Sequence, residues 1–254
     1  NHDVTNDSIY GVTFGNGIFV AVGYYGSTLT SSDGTSWESR PQYLTQNNLR
    51  GVTYGNGIFV AVGDNGARAT SSDGTSWELN QENVTQNTLR GVAYGNGTFV
   101  AVGNSGTTLT SADGDEWSLN QNYLTMGTTG DGNLKGVAFG NNTFVAVVES
   151  ANSEYGSVFT SPDGTTWNEQ DSASTTSKLF GITYANNTFV AVGSNETILS
   201  SSNEVLSTDE STQLALYNLD DDTDVTVAVS SSDTGEATVD TATLTFTEDN
   251  WDTA

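Results

Sequence analysis

Few side chains in this sequence could carry out acid–base or nucleophilic chemistry. The 254 residues include one histidine, His2, and no cysteine. A single histidine excludes metal triads built from imidazoles, and the lack of cysteine excludes disulfides and thiol catalysis. The 31 acidic residues always offer some carboxylate pair suited to glycoside hydrolysis, so finding such a pair means little. We therefore expect a binding protein rather than an enzyme.

Tyrosines and a few cations supply the chemistry that remains. Flat aromatic rings rimmed by Asn, Asp and Ser suit sugars or polar protein surfaces, although tyrosines in loops also pack over the backbone. The candidate tyrosines are Tyr24, Tyr25, Tyr43, Tyr123 and Tyr155. The candidate cations, at equivalent positions of a repeat, are Arg50, Arg90 and Lys135. These cations could ring one opening and attract a carboxylate, or they could pair with neighbouring acids.

Calcium is the one cofactor that the sequence suggests. Asp220, Asp221, Asp222 and Asp224 place four carboxylates within five residues, and Ca²⁺ takes hard oxygen ligands. A solvated acidic turn has the same composition, so both interpretations stay open. No other cofactor is indicated.

A repeat must position these residues. The 14-residue stretch YGVTFGNGIFVAVG, which begins at Tyr10, recurs in related form at Arg50, Arg90, Lys135 and Phe180, so the copies lie 40 or 45 residues apart. This spacing is typical of propeller blades and of helical solenoids. The Gly, Thr and Asn content and the lack of a 3.6-residue apolar stripe exclude helices. Asn-Gly and Asp-Gly turns divide each copy into four short antiparallel strands.

The Phe-Val-Ala-Val run of each copy indicates how the sheets are arranged. It does not alternate with polar residues, so both of its faces should be buried between neighbouring blades. We therefore predict an all-β fold in which residues 1–203 form a closed five-bladed β-propeller. In such blades the second-to-third loops and the blade-to-blade connections share one face of the disc. The copies differ on that face, and both five-residue insertions, near 126–133 and 150–155, fall there. It is the expected ligand-binding face.

A second segment begins near residue 204. Residues 204–254 hold 13 acidic residues and no Lys or Arg. Alternating runs at 224–229 and 242–247 predict strands of an incomplete β-sandwich with an open edge. Either a continuation of the chain or a strand donated by a neighbouring subunit should cover this edge, and strand donation would build a filament.

Composition restricts the partners and the setting. With a net charge of −25, the chain would repel nucleic acid and anionic lipid head groups. No apolar run is long enough to span a membrane, and no basic-then-apolar leader is present, so we expect that a signal peptide has been removed or that the chain is a fragment. Two lysines among abundant Thr, Ser, Asn and Asp are typical of exported or salt-adapted proteins. We expect an extracellular or cell-surface location.

One family resemblance follows from a turn that occurs four times, Ser-x-Asp-Gly-x-x-Trp. It resembles the Asp-box of sialidase-type (BNR) propellers, shortened by one residue, and the whole repeat resembles bacterial surface propellers and, more distantly, tachylectin-type lectins. Its Asp should cap the turn, its Gly should take a positive φ and its Trp should pack between blades. These residues are Asp33, Asp73, Asp113 and Asp163 with Trp37, Trp77, Trp117 and Trp167.

A second resemblance concerns the tail from Leu206 to Trp251, which looks like the Calx-beta type of immunoglobulin-like domain found in bacterial adhesins. Some Calx-beta domains bind calcium at their ends. Together the two resemblances imply a non-enzymatic adhesion module that takes a glycan or protein ligand. A filament subunit and a sialidase-like hydrolase are the alternatives. Sialidases use three arginines around the ligand carboxylate, whereas only Arg50 and Arg90 occupy equivalent positions here.

Overall fold

The structure, a computed structural model, describes residues 7–39, 43–80, 82–120, 132–150, 156–170, 177–201, 225–228 and 243–246. The chain divides into two compact units, Asn1–Asn203 and Glu204–Ala254. In the described part of the second unit, two strands pair in antiparallel fashion, β20 (Val225–Ala228) with β21 (Thr243–Phe246). The rest of the predicted sandwich, including its open edge, lies outside the described residues.

The first unit consists of five antiparallel sheets that follow one another along the chain, so the predicted all-β fold with five blades is confirmed. Blade 1 contains β1 (Ile9–Gly15), β2 (Ile18–Gly23), β3 (Thr28–Ser31) and β4 (Glu38–Ser39). Blade 2 contains β5 (Leu49–Gly55), β6 (Ile58–Gly63), β7 (Arg68–Ser71) and β8 (Glu78–Leu79). Blade 3 contains β9 (Leu89–Gly95), β10 (Thr98–Gly103), β11 (Thr108–Ser111) and β12 (Ser118–Leu119). Blade 4 contains β13 (Gly132–Gly140), β14 (Thr143–Ser150), β15 (Gly156–Ser161) and β16 (Asn168–Glu169). Blade 5 contains β17 (Leu179–Ala185), β18 (Thr188–Gly193) and β19 (Ile198–Ser200) among the described residues.

Two-residue turns with positive φ join the first two strands of each blade. In blade 1 the turn residues are Asn16 (φ 49°) and Gly17 (φ 79°), the combination that a type I′ hairpin requires. Asn and Gly are the residues that enter this region of φ at least cost. Blades 4 and 5 place Asn at both turn positions and keep the same geometry.

The Asp-Gly turns have the geometry expected from their sequence. In blade 2, Asp73 Oδ1 accepts hydrogen bonds from the backbone N–H groups of Thr75 and Ser76, both at 2.7 Å. These bonds lower the pKa of the Asp73 carboxyl far below its usual value. Gly74 takes a φ of 72°, and its carbonyl accepts a hydrogen bond from Trp77 Nε1. The same contacts recur around Asp33, Asp113 and Asp163.

The core lies between consecutive blades. Val20 and Val22 on one side of blade 1, which we call its trailing face, pack against Leu49, Val52 and Phe59 on the leading face of blade 2. Equivalent residues form the cores between blades 2 and 3 and between blades 3 and 4. Because each Phe-Val-Ala-Val strand contributes to both faces of its blade, it is buried on both sides in the interior of the array. A fully buried side chain of this size stabilises a fold by roughly 1.5–3 kcal/mol.

The array differs from the expected closed disc. The first strands pack in succession, β1 on β5, β5 on β9, β9 on β13 and β13 on β17, but no comparable packing joins β17 to β1. Val12 on the leading face of blade 1 is 61% exposed, whereas its equivalent Val52 is 9% exposed. Val192 on the trailing face of blade 5 is 46% exposed, whereas its equivalent Val62 is fully buried. Among the described residues, the two end blades therefore each have one apolar face that no other blade covers.

Candidate functional site

The second-to-third loops and the blade-to-blade connections lie on one side of the first unit, as the antiparallel order requires. In blade 1 the backbone N–H of Tyr24 donates to the carbonyl of Ser8 at 2.9 Å, and that of Leu44 donates to the carbonyl of Gly26 at 3.3 Å. These bonds place the loop beside the segments that enter blades 1 and 2. We call this side the variable face. Its described loops are Tyr24–Gly26, Asp64–Gly66 and Asn104–Gly106.

A β-bulge positions the predicted cations on this face. In blade 3, Leu89 pairs with Gly103 and Gly91 pairs with Val102, so Arg90 is left without a partner in the ladder. Bulges re-aim the side chain of the extra residue and are common beside functional sites. The bulge recurs in every blade, at Tyr10, Arg50, Arg90, Lys135 and Phe180. Sequence analysis missed the bulge, although the glycine that follows each of these residues is a signal for one.

Carboxylates neutralise two of the three bulge cations. Arg50 forms a bidentate ion pair with Asp64, and Lys135 pairs with Glu149, which also lies 3.5 Å from Lys178 Nζ. Burial alone would raise the pKa of the Asp64 carboxyl, but hydrogen bonds from Arg50 and Asn48 outweigh burial and lower it. Burial likewise raises the pKa of the Glu149 carboxyl, and the hydrogen bond from Lys135 lowers it. The net effect on the pKa of Glu149 is a decrease. For these two cations the structure shows pairing with acids.

Arg90 is different from its two equivalents. Its Nε donates to the amide oxygen of Asn104 at 2.6 Å, and among the described residues no carboxylate lies within ion-pair distance of its guanidinium. Burial and the neighbouring Arg50 lower the pKa of Arg90, while Asp64 and Glu149 raise it from further away. An arginine stays protonated under all ordinary conditions. The variable face therefore carries a half-buried positive charge that no carboxylate of the described residues neutralises.

Three of the predicted tyrosines form one exposed aromatic cluster on the same face. The ring centroids of Tyr24 and Tyr25 are 4.2 Å apart, and those of Tyr25 and Tyr43 are 6.2 Å apart in an edge-on arrangement. A hydrogen bond with Tyr25 raises the pKa of Tyr24, and a hydrogen bond to Asp7 raises that of Tyr43. Both phenols are therefore neutral at ordinary pH, and the Tyr43 hydroxyl donates its one proton to Asp7.

Tyr25 has an uncommon backbone conformation. Its φ is 48°, where the equivalent loop residues are Asn65, Ser105 and Asn195. A bulky residue in this region of φ is strained, and such strain is concentrated at functional sites. The N–H of Tyr25 donates to Asn48 Oδ1 at 3.1 Å, which helps to hold the loop in place.

A chain of polar contacts joins the tyrosine cluster to Arg50. Asn48, which holds Tyr25, also donates to Asp64 Oδ2 at 2.8 Å, and Asp64 binds Arg50. The Arg50 guanidinium carbon in turn lies 5.4 Å above the ring centroid of Tyr10, a cation–π contact. These contacts connect Tyr25 and Tyr10 to Arg50, so the tyrosine cluster and one of the three bulge cations belong to one connected surface.

The remaining predicted site residues lie outside the part of the chain that the structure describes. Tyr123, Tyr155, Asp220, Asp221, Asp222 and Asp224 lie outside the described residues, so the calcium hypothesis stays a prediction. Within the described ranges no group of three or more His, Asp or Glu side chains could hold a metal ion. Arg68 is buried and donates to the carbonyl oxygens of Gly66 and Glu82, so it has a structural role. In the same ranges no helix is both long and apolar enough to span a bilayer.

Comparison with known proteins identifies the fold. No protein-family model matches the chain, and no curated protein matches it. Solved structures do match. One is "YCF48 bound to D1 peptide", with a TM-score of 0.59, 19% identity and 78% of this chain covered. Another is a nidogen/laminin complex, with a TM-score of 0.55, 14% identity, and 76% of this chain and 75% of that one covered. A streptogramin B lyase also matches, with a TM-score of 0.58, 12% identity, and 72% of this chain and 61% of that one covered.

The chain spans 66% of the length of the YCF48 chain that it matches. These neighbours include proteins solved with a peptide or a protein partner and an enzyme. At such low identities the similarity shows a shared β-propeller fold and no shared activity. Function must therefore be argued from the variable face itself.

Proposed function

We propose that the first unit is a non-enzymatic binding module whose variable face holds a polypeptide ligand that presents a carboxylate to Arg90. The observation that carries this proposal is the contrast among the bulge cations. Arg50 and Lys135 are neutralised by carboxylates, whereas Arg90 faces the neutral amide of Asn104. A partly desolvated guanidinium binds a carboxylate through short, charge-assisted and often bidentate hydrogen bonds.

The charge of the whole chain restricts what this ligand can be. A net charge of −25 repels polyanions over a Debye length, about 8 Å at physiological ionic strength. A single carboxylate that reaches Arg90 escapes this repulsion because the contact is local and partly buried. The ligand that fits has one accessible carboxylate and is otherwise neutral or basic. This excludes nucleic acid and acidic peptides from the proposal.

The tyrosine cluster supplies the contact area that a single ion pair lacks. Tyr24, Tyr25 and Tyr43 are exposed, and aromatic rings with polar tips are enriched where proteins bind other proteins. The fold neighbours solved with a peptide and with a protein partner support a polypeptide ligand in preference to a glycan. We further propose that binding takes place outside the cell, as an adhesion module, because a chain with two lysines and abundant Thr, Ser, Asn and Asp has a composition typical of exported proteins.

An array of random-sequence peptides tests the ligand class, with every sequence present as the free C-terminal acid and as the amide. We expect the protein to bind a subset of acids and to lose most of that binding on the matching amides. Arg90→Gln should abolish the preference for acids. Lys135→Gln, which removes the same charge from a cation that is already paired, is the matched control and should keep it.

A glycan array probed in parallel separates the remaining possibilities. Binding to carboxylated sugars that is lost in Arg90→Gln, with no peptide binding, would replace the polypeptide by a glycan. Binding that is equal for acids and amides, and unchanged in Arg90→Gln, would contradict the role of Arg90 altogether.

A further inference from the structure

One interface is used four times in this chain, and a glycine lies against an aromatic ring in each use. At the end of β1, Gly15 lies under the ring of Tyr54 from blade 2, and a Cβ added to Gly15 would come within 2.1 Å of Tyr54 Cγ. Such a distance is impossible, and Cγ is too near the backbone to move aside. The same pairs recur at the later junctions: Gly55 with Tyr94, Gly95 with Phe139, and Gly140 with Tyr184.

The two ends of the array carry the unused halves of this interface. Blade 1 exposes Ile9, Val12 and Phe14, whose equivalents in blades 2, 3 and 4 are buried or half-buried. Blade 5 exposes Val192, whose equivalents Val22, Val62, Val102 and Val147 are fully buried. The Asp-Gly turns show the same difference between interior and end blades. Gly74 of blade 2 lies against Val20 of the preceding blade, whereas its equivalent Gly34 of blade 1 is exposed. The leading face of blade 1 therefore matches the trailing face of blade 5.

The bulge residues at the two ends fit the same interpretation. Interior blades carry cations there, whereas the end blades carry Tyr10 and Phe180, which are both exposed. Gly181 is equivalent to Gly11, Gly51, Gly91 and Gly136, and a Cβ added to any of those four would meet the next blade. A Cβ added to Gly181 would touch only Val192 of its own sheet. Apart from one position, blade 5 presents what a following blade requires.

That position is Ala185. It stands in blade 5 where Gly15, Gly55, Gly95 and Gly140 stand in the other blades. By the geometry of the four glycine contacts, its methyl group would clash with the ring of Phe14 if a blade 1 followed. Every blade of this chain has Phe or Tyr at the position of Phe14, so a second copy meets the same obstacle.

We propose that the methyl group of Ala185 prevents a fifth use of the interface, and that without it blade 1 of a second copy docks on blade 5 and the chains join head to tail. Such a heterologous contact gives a ring when its rotation closes and a helical filament when it does not. The side chain of Ala185 thus determines whether the chain stays monomeric or assembles head to tail. This is an instance of a protein managing an exposed, self-complementary surface.

The test compares the wild-type chain with Ala185→Gly and Ala185→Ser by sedimentation velocity across a wide range of concentrations. Gly is the residue at this position in four other blades, so the first variant should fold. We expect the wild type and Ala185→Ser, which keeps a β-carbon, to sediment as monomers. Ala185→Gly should at least double its mass, and should associate more strongly at high salt because salt screens the repulsion between highly acidic chains.

Complementary variants establish the direction of the contact. In the Ala185→Gly background, Val12→Asp blocks the leading face and Val192→Asp blocks the trailing face. Each double variant alone should be monomeric, and an equimolar mixture should give a one-to-one dimer. Asn16→Asp adds the same charge in an exposed turn and should leave the assembly of Ala185→Gly intact.

Two results would overturn the proposal. One is a folded Ala185→Gly chain that stays monomeric, whether its ends remain apart or close on each other. The other is a wild-type chain that assembles as readily as the variant, because the methyl group would then present no obstacle.

Discussion

Arg90 and Asn104 are joined by a hydrogen bond of 2.6 Å at the position where the preceding blade joins Arg50 to Asp64. The bulge and the loop that create these pairs are the same in both blades. The difference is one atom of the loop residue, an amide nitrogen in place of a carboxylate oxygen. That difference leaves Arg90 without a carboxylate partner among the described residues.

Asn104→Asp should therefore close the site. The new carboxylate copies the pair of blade 2 and neutralises Arg90, so binding of carboxylate peptides should weaken by about tenfold or more, which is ~1.4 kcal/mol or more. Fluorescence anisotropy with a labelled peptide acid measures this. Ser105→Asp adds the same charge in the same loop without reaching the equivalent position and should weaken binding much less. Equal losses in the two variants would mean that general repulsion, and not pairing, is responsible.

Tyr25→Asn should stabilise the protein while it weakens binding. Asn tolerates the left-handed backbone of this loop, as Asn65 and Asn195 show, and relief of the strain is worth up to about 1 kcal/mol. Urea unfolding measures the free energy of unfolding. Tyr24→Asn makes the same side-chain change at a residue without a positive φ and should bring no gain. A loss of stability in Tyr25→Asn would show that packing of the Tyr25 ring contributes more to the free energy of unfolding than relief of the backbone strain restores.

The sequence predicted the blades well because each repeat encodes its own turns. Asn16-Gly17 and Asp73-Gly74 specify their local backbone with no help from distant residues. The open ends could not be predicted this way, since closure depends on a contact between residues far apart in the chain. The replacement of the repeat glycine by Ala185 was visible in the sequence. Its steric effect could be inferred only from the structure, where the equivalent Gly140 lies against the ring of Tyr184. The sequence left open whether Arg50, Arg90 and Lys135 pair with acids or bind a ligand. Their hydrogen-bond and ion-pair partners on the neighbouring strands and loops could be identified only from the structure.

Gly55→Ala should disrupt the contact between blades 2 and 3. An added Cβ would lie 2.1 Å from Tyr94 Cγ, so the blades must shift, at a cost of roughly 1–3 kcal/mol in the free energy of unfolding. Chemical denaturation measures this cost. Tyr94→Ala provides a double-mutant cycle, because without the ring the alanine should cost much less. An equal cost in both backgrounds would mean that the clash is not with Tyr94.

Acid should selectively remove the contribution of Glu149. Its pKa is lower in the folded state, so the folded state binds its proton more weakly than the unfolded chain does. The pair with Lys135 therefore contributes stability above the unfolded pKa, near ~4.3, and loses it as the pH falls through the lower folded pKa. Glu149→Gln should be less stable than the wild type at neutral pH, and the gap should shrink below about pH 4.

Glu38→Gln is the control for this pH dependence, because Glu38 is exposed on an outer strand. Its difference from the wild type should be small at every pH. A gap between Glu149→Gln and the wild type that stays constant into acid would show that packing, and not the ion pair, carries the effect.

Titration calorimetry of one peptide in two forms tests the central claim most directly. The tightest peptide acid from the array and its C-terminal amide are each titrated into the wild type and into Arg90→Gln. We predict that the acid loses at least about 1.5 kcal/mol of binding free energy in the variant, the worth of a charged hydrogen bond, and that the amide loses almost nothing. Equal losses for the acid and the amide would contradict a carboxylate site at Arg90.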